Sequence, residues 1–216
     1  MTQQLERTTN RAKSQQQTRD ALLQAGAALI AQNGFAGASV RDIAARAGFT
    51  QGAFYSNFQS KDELVFAIMR RLFQHAYDSI SMFSKDTSKS TGEMVAEASA
   101  WLQDICGSDE KAQLEAEISL HAMRDAKFAE SYFALLEEHS EKMTKIVEEI
   151  AKARNMELCA PVDQIAKGMI AMARGLKLMM PHNDPKTVIE TLAIFLDATM
   201  QSCSAGTPAA EDQSVL

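Results

Sequence analysis

Three features of the sequence predict an all-α protein. Ala, Leu, Met, Glu, Lys and Gln dominate its longer segments, and the β-branched or alternating runs that mark strands are missing. The four prolines (Pro161, Pro181, Pro185, Pro208) all lie beyond residue 160, so the first three quarters can be helical without interruption. Residues able to cap a helix stand just ahead of apolar-periodic segments. Together these predict nine helices in 216 residues, with an apolar fraction of 46% that is ample for a packed core.

Residues 1–14 are polar and read as a disordered tail. A first helix is expected over about 17–33, with Leu22, Ala25, Leu29 and Ile30 facing inward, and Gly34 ending it. Ser39 then caps a second helix running through Ala47, because its side chain can accept from the free N–H groups of the first turn. Gly48 supplies the left-handed conformation that stops this helix without a Cβ clash. Thr50 caps a third, very short helix ending at Phe54 or Tyr55, and Ser60 with Glu63 forms a capping box for a fourth over about 61–84. Three caps and a glycine turn within some thirty residues are the punctuation of a helix-turn-helix, whose second helix must leave the first steeply to enter the major groove of DNA. Phe35, Ile43, Ala44, Phe49, Phe54 and Phe58 are assigned to the small core holding the three helices.

Further on, Lys85–Thr91 reads as a loop and residues 92–106 as a fifth helix. Ser108 or Asp109 caps a sixth reaching about Arg124, and Asp125–Ala126 leads into a long seventh over about 128–154. The seventh helix carries Glu138/Lys142, Glu141/Lys145 and Glu148/Lys152 as i,i+4 pairs in the favourable order, read as a solvated face. The eighth lies between Pro161 and Pro181; the ninth begins at Asp184 and Pro185 and runs to about Cys203, and residues 205–216 read as a second disordered tail. Residues 15–60 thus form a small head and 61–204 a helical body.

Charge separates the same two parts. Residues 1–61 carry seven Lys/Arg against three acids, a net of +4, while the other 155 carry 15 bases and 25 acids, a net of −10. A basic head on an acidic body fits a phosphate-binding module joined to a sensing or assembly domain; a merely basic tail is the alternative. Three scattered cysteines (Cys106, Cys159, Cys203) lack any C-x-x-C spacing, which argues for a reducing compartment and against a disulfide framework or cysteine zinc site. The polar amino terminus is no signal peptide, and no run approaches the roughly 20 apolar residues of a membrane span. A cytoplasmic location, with no membrane partner, no cofactor and no metal, is expected.

Thr18–Leu23 (TRDALL), Asn33–Phe35 (NGF), Ser39–Ala44 (SVRDIA), Ala47–Tyr55 (AGFTQGAFY), Phe58 and Ser60–Leu64 (SKDEL) form an ordered series. Over this span, about fifty residues, the chain resembles the amino-terminal domain of the TetR family of transcriptional regulators. The resemblance implies a homeodomain-like head that reads a palindromic operator in double-stranded DNA, and positions matching Thr50, Gln51, Gly52, Ala53, Tyr55 and Asn57 lie on or beside that DNA. Chemistry gives each a task. Gln51 can pair bidentately with adenine, Ala53 can offer a methyl to thymine, and Gly52 permits close approach of the backbone. The hydroxyl of Tyr55 can donate to a phosphate, as can Ser56 and Asn57, while Ser39 and Thr50 can place helix N-termini there. Lys61 matches a phosphate contact of the family, and Arg41 can reach either the backbone or a guanine. Where the family often has a second aromatic and a histidine, this chain has Ser56 and Asn57, which points to a different operator or weaker clamping.

The resemblance also implies a homodimer formed by the last two helices. Ile165, Met169, Met172, Leu176 and Met179 recur at spacings of 4, 3, 4 and 3, and Val188, Leu192, Phe195 and Thr199 do the same. Each stripe is a seam for another helix, within the subunit or across a dimer. Gly168 and Gly175 would let helices approach closely. Family members carry a pocket for a small-molecule effector, for which Trp101, His121, Met123, Tyr132, Met169 and Met172 are the candidates; an apolar or aromatic ligand is expected, and ordinary core packing is the competing account of each residue. The function expected is that of a repressor released by such a ligand. An enzyme is not expected: the four histidines (His75, His121, His139, His182) are scattered and no H-E-x-x-H, G-x-S-x-G, P-loop or Rossmann motif is present. Cys106 as a reactive thiol, and a helical scaffold that has lost DNA binding, are the competing possibilities.

Overall fold

A computed structural model of the chain describes residues 2–84, 109–153, 157, 158, 160–179, 190, 191, 194 and 195. Among these residues there are seven full helices and no strand: α1 (Thr2–Gly37), α2 (Val40–Arg46), α3 (Gln51–Tyr55), α4 (Lys61–Ser84), α5 (Asp109–Ala122), α6 (Ala126–Ala153) and α7 (Val162–Met179). The expected fifth helix over 92–106 lies outside the described residues, and of the expected ninth only residues 190, 191, 194 and 195 are described, all helical. Of the nine helices expected, seven are thus seen in full among the described residues.

One boundary differs from expectation. α1 begins at Thr2 and so covers residues 2–14, where a disordered tail is expected from composition. Nothing in the local sequence stops it, since no proline or glycine precedes Gly26. At its other end the regular helix stops where predicted: Gly34 has φ 77° and ψ 165°, and one further turn carries the chain to Gly37.

The head is held by Leu22 and Ile30 of α1, Ile43 of α2, Phe54 of α3, Phe58 just after it and Leu64 of α4, all at or near zero exposure. Gly26 permits the crossing of α1 over α4, because a Cβ there would come within 2.6 Å of Leu64 Cδ2. The same apolar cluster continues without a break through Leu114 and Ile118 of α5 into Phe128, Tyr132 and Leu135 of α6. α1 packs chiefly against α5, and a second cluster around Met143 and Ala166 joins α6 to α7. No helix among the described residues is long and apolar enough to cross a membrane.

Candidate nucleic-acid interface

The turn motif is built by its caps. Ser39 is extended (φ −79°, ψ 153°) and its hydroxyl accepts the Asp42 amide at 3.1 Å; Thr50 is likewise extended and accepts the Ala53 amide at 3.2 Å. Between them Gly48 sits at φ 78°, and the Phe49 amide donates to the Ala44 carbonyl at 2.9 Å, which fixes the angle between α2 and α3. The capping box opens α4: the Glu63 amide donates to Ser60 Oγ at 3.1 Å, and the Glu63 carboxylate accepts from the Gln59 amide at 2.6 Å.

Seven of the ten residues expected at DNA are exposed on this motif: Ser39, Arg41, Thr50, Gln51, Gly52, Tyr55 and Ser56. Ala53 is half-buried. Tyr55 is 59% exposed, its ring edge-on to the buried Phe54 ring at 5.5 Å, which holds the phenol outward. Gln51 stands exposed in the first turn, clear of the cap and of the core.

Four residues sit differently from expectation. Asn57 is half-buried and its amide donates to the Ala53 carbonyl at 2.8 Å, closing α3 rather than reaching outward; its own carbonyl accepts from Arg19 at 2.7 Å. Ser56 is exposed, but its hydroxyl donates to the Gly52 carbonyl at 2.8 Å. The Lys61 ammonium, expected at a phosphate, donates to the Phe35 carbonyl at 2.7 Å and the Ala38 carbonyl at 3.1 Å and lies 4.0 Å from the Phe35 ring centroid. Burial there pushes its pKa down, against an opposing pull from Asp62. Phe49, assigned to the core, is 38% exposed instead, beside the start of α3.

The reading of sequence missed Arg19, which locks α1 to the end of α3. Its guanidinium lies 4.2 Å from the Phe58 ring centroid while it holds the Asn57 carbonyl, and next to it Asp20 pairs with Arg71 of α4 at 2.7 Å. It also missed the joint between head and body. Glu117 of α5 accepts the Phe35 amide at 3.4 Å just after the Gly34 kink, and His121 stacks on the Phe35 ring at 3.6 Å and 12°.

The body departs further from expectation. Of the six candidate pocket residues, Trp101 lies outside the described residues and Met123 is 79% exposed. His121 is committed to Phe35, Tyr132 is buried with its hydroxyl 2.8 Å from Ser119 Oγ, and Met169 and Met172 are half-buried on α7. Among the described residues a cleft lies between α4 and α6, with about 120 Å³ of accessible space. Phe73, Tyr77, Leu135 and His139 form its apolar wall; Arg70, Gln74, Glu138 and Lys142 form its rim. The Glu138/Lys142 pair, expected as plain solvated surface, is part of that rim, with its atoms 3.1 Å apart. His139 stacks on Phe73 at 3.9 Å and 7°, and its Nδ1 is hydrogen-bonded to the Tyr77 hydroxyl. Burial pushes the His139 imidazole down to about 4, with Arg174 and Lys142 adding to the effect, and pushes the Tyr77 phenol up to about 12.

On the expected dimer seam, Ile165 is buried within the subunit at 2% exposure, and Leu176 is half-buried. Phe195 packs over Gly168, where a Cβ would sit 3.1 Å from its ring, so this glycine serves packing inside the chain. Val188, Leu192 and Thr199 lie outside the described residues, as do Cys106, Cys159 and Cys203.

Comparison with known proteins places this geometry. Residues 22–68 match the model of bacterial regulatory proteins of the tetR family. The chain is 42% identical over 59 residues to the uncharacterized HTH-type transcriptional regulator YvdT of Bacillus subtilis, covering 27% of this chain and 30% of that protein. It is also 42% identical over 52 residues to the HTH-type transcriptional repressor KstR2 of Mycolicibacterium smegmatis, covering 24% of this chain and 25% of that one. The chain thus spans less than a third of the length of the curated relatives it matches. In fold the likeness is wider: the transcriptional regulator FadR of Bacillus subtilis, solved in complex with stearoyl-CoA, superposes with a TM-score of 0.64 at 16% identity, over 84% of this chain and 97% of that one. Residues 22–68 are thus similar to the amino-terminal domain of the tetR family of bacterial regulatory proteins, and the likeness of the whole chain to such regulators is one of fold.

Proposed function

We propose that the chain is a homodimeric, cytoplasmic transcriptional repressor whose 15–60 head reads a palindromic operator and whose 61–204 body releases it on binding a small apolar or aromatic effector. The observation that carries this reading is α3: a five-residue helix, capped at its start, whose Gln51 and Tyr55 stand clear of the core on a basic head. So short a helix offers few base contacts, and doubling the head on a two-fold axis supplies the affinity that one head lacks. Gly175 supports the dimer. A Cβ there meets nothing within 4 Å among the described residues, so packing among them does not account for it, whereas a partner helix would. Leu178, one turn on, is 62% exposed. Similarity to a repressor, KstR2, and to FadR, solved with stearoyl-CoA, supports the pairing of DNA binding with an effector site. The path from body to head runs through α5, whose Glu117 and His121 grip Phe35 at the end of α1.

The test is DNA selection from the source genome followed by titration with salt. Operator affinity should fall by roughly 10³-fold or more between about 50 and 200 mM salt if six or more phosphates are neutralised. Gln51→Ala should relax one operator position and lose about 1–3 kcal/mol on the preferred base. Salt-independent binding, or a Gln51→Ala protein with unchanged base preference, would refute the assignment of α3 as the reader.

A further inference from the structure

Residues 62–216 are strongly acidic as a whole, yet three of their cations gather around one cleft. Arg70 and Lys142 are in its rim. Lys142 Nζ lies 5.4 Å from the Tyr77 ring centroid, and the Arg174 guanidinium lies 5.7 Å from that of Phe73. Arg174 is paired with Glu115 at 3.6 Å, whereas Arg70 and Lys142 share a single carboxylate, Glu138, at 3.8 and 3.1 Å. Lys142 first, then Arg70, hold that carboxyl below its ordinary range, which marks the rim as a place where a negative oxygen is favoured. Behind the rim the wall is flat and aromatic: Phe73 stacked on His139, with Tyr77 tilted against the same imidazole at 5.5 Å. Because burial keeps His139 neutral, the wall carries no charge of its own.

Two cations sharing one exposed acid above an aromatic wall make a site already filled by a stand-in. We propose that this cleft binds a small aromatic carboxylate, which takes the place of Glu138 on Arg70 and Lys142 while its ring lies against Phe73 and Tyr77. This rests on the reading of the body as an effector-binding domain and names the effector's chemical class: a single carboxylate on an aromatic ring of the size a cleft of about 120 Å³ admits.

Benzoate and benzamide share one shape and differ in charge, so the pair isolates the carboxylate. Calorimetric titration of the full chain should show saturable binding of benzoate and at least tenfold weaker binding of benzamide. Glu138→Gln, which keeps the side-chain shape and removes the competing charge, should tighten benzoate by about 3- to 5-fold, the scale of an exposed ion pair, and leave benzamide unchanged. Arg70→Gln with Lys142→Gln should erase the difference between the two. All three side chains are exposed, so an unchanged melting midpoint certifies each variant as folded. Equal affinity for the two ligands, or a Glu138→Gln protein that binds benzoate no better, overturns the proposal. Operator DNA is added in a separate arm. If benzoate binds and DNA stays bound, the site stands and its regulatory role falls. If no operator is bound at all, the repressor reading falls while calorimetry still decides the cleft.

Discussion

Lys61 shows how a residue can be given one task by sequence and another by its neighbours. Its position at the start of α4 points to a phosphate, yet its ammonium satisfies two carbonyls at the end of α1 and just beyond it. Lys61→Met should therefore destabilise the fold by about 1–3 kcal/mol, the penalty for orphaned, partly buried carbonyls. The salt slope of DNA binding should stay unchanged; a slope reduced by about one per head would reinstate the phosphate contact. His139 predicts the response to acid. The unfolded chain takes up its proton near the ordinary 6.5, whereas the folded chain resists until about 4. The stabilisation is complete above the unfolded value and is lost as pH falls toward the folded one, by at most about 3 kcal/mol. Melting midpoints should drop between about pH 7 and pH 5 in the native chain and drop less in a His139→Asn variant. The exposed position of Gln51 was legible because a polar residue just inside a capped helix has little structural work. His139 was not: an isolated histidine at helical spacing carries no sign of the two aromatic rings that enclose it.

At the scale of elements, helix ends were the most legible features, since a cap acts through its own turn. Ser39, Gly48, Thr50 and the Ser60–Glu63 box all cap or close the helices that their spacing predicts. Asp125 repeats the pattern at α6, accepting the Phe128 amide at 3.0 Å, and that hydrogen bond holds its carboxyl below the usual range. Gly34 combines a local and a distant constraint. Its φ of 77° disfavours any Cβ, and a Cβ there would sit 2.9 Å from Glu117 Oε2. Gly34→Ala should lower unfolding stability by roughly 1–2 kcal/mol in urea titration, more than an unstrained surface Gly→Ala change would. The start of α1 is hidden from composition, because its polarity suggests disorder although Gln, Arg, Lys and Ala are good helix formers.

At the scale of the molecule, head and body share one apolar cluster from Leu22 to Leu135, with α5 as its middle layer. Assembly is tested at Gly175. Gly175→Leu fills space that is open among the described residues and improves helix propensity, so the subunit should melt no lower while sedimentation shows the dimer weakened. An intact dimer in that variant would move the interface away from this face of α7. The all-α class, the capped turn motif and the charge division between head and body were determined by sequence alone, because propensity, capping and charge act within a few residues. Tertiary structure decided what depends on residues far apart in the chain. It turned Lys61 inward, exposed Phe49, bound Glu117 to Phe35, and placed a cleft between α4 and α6. Such outcomes follow from which helix faces meet, and helical periodicity reveals that a face is apolar without revealing its partner.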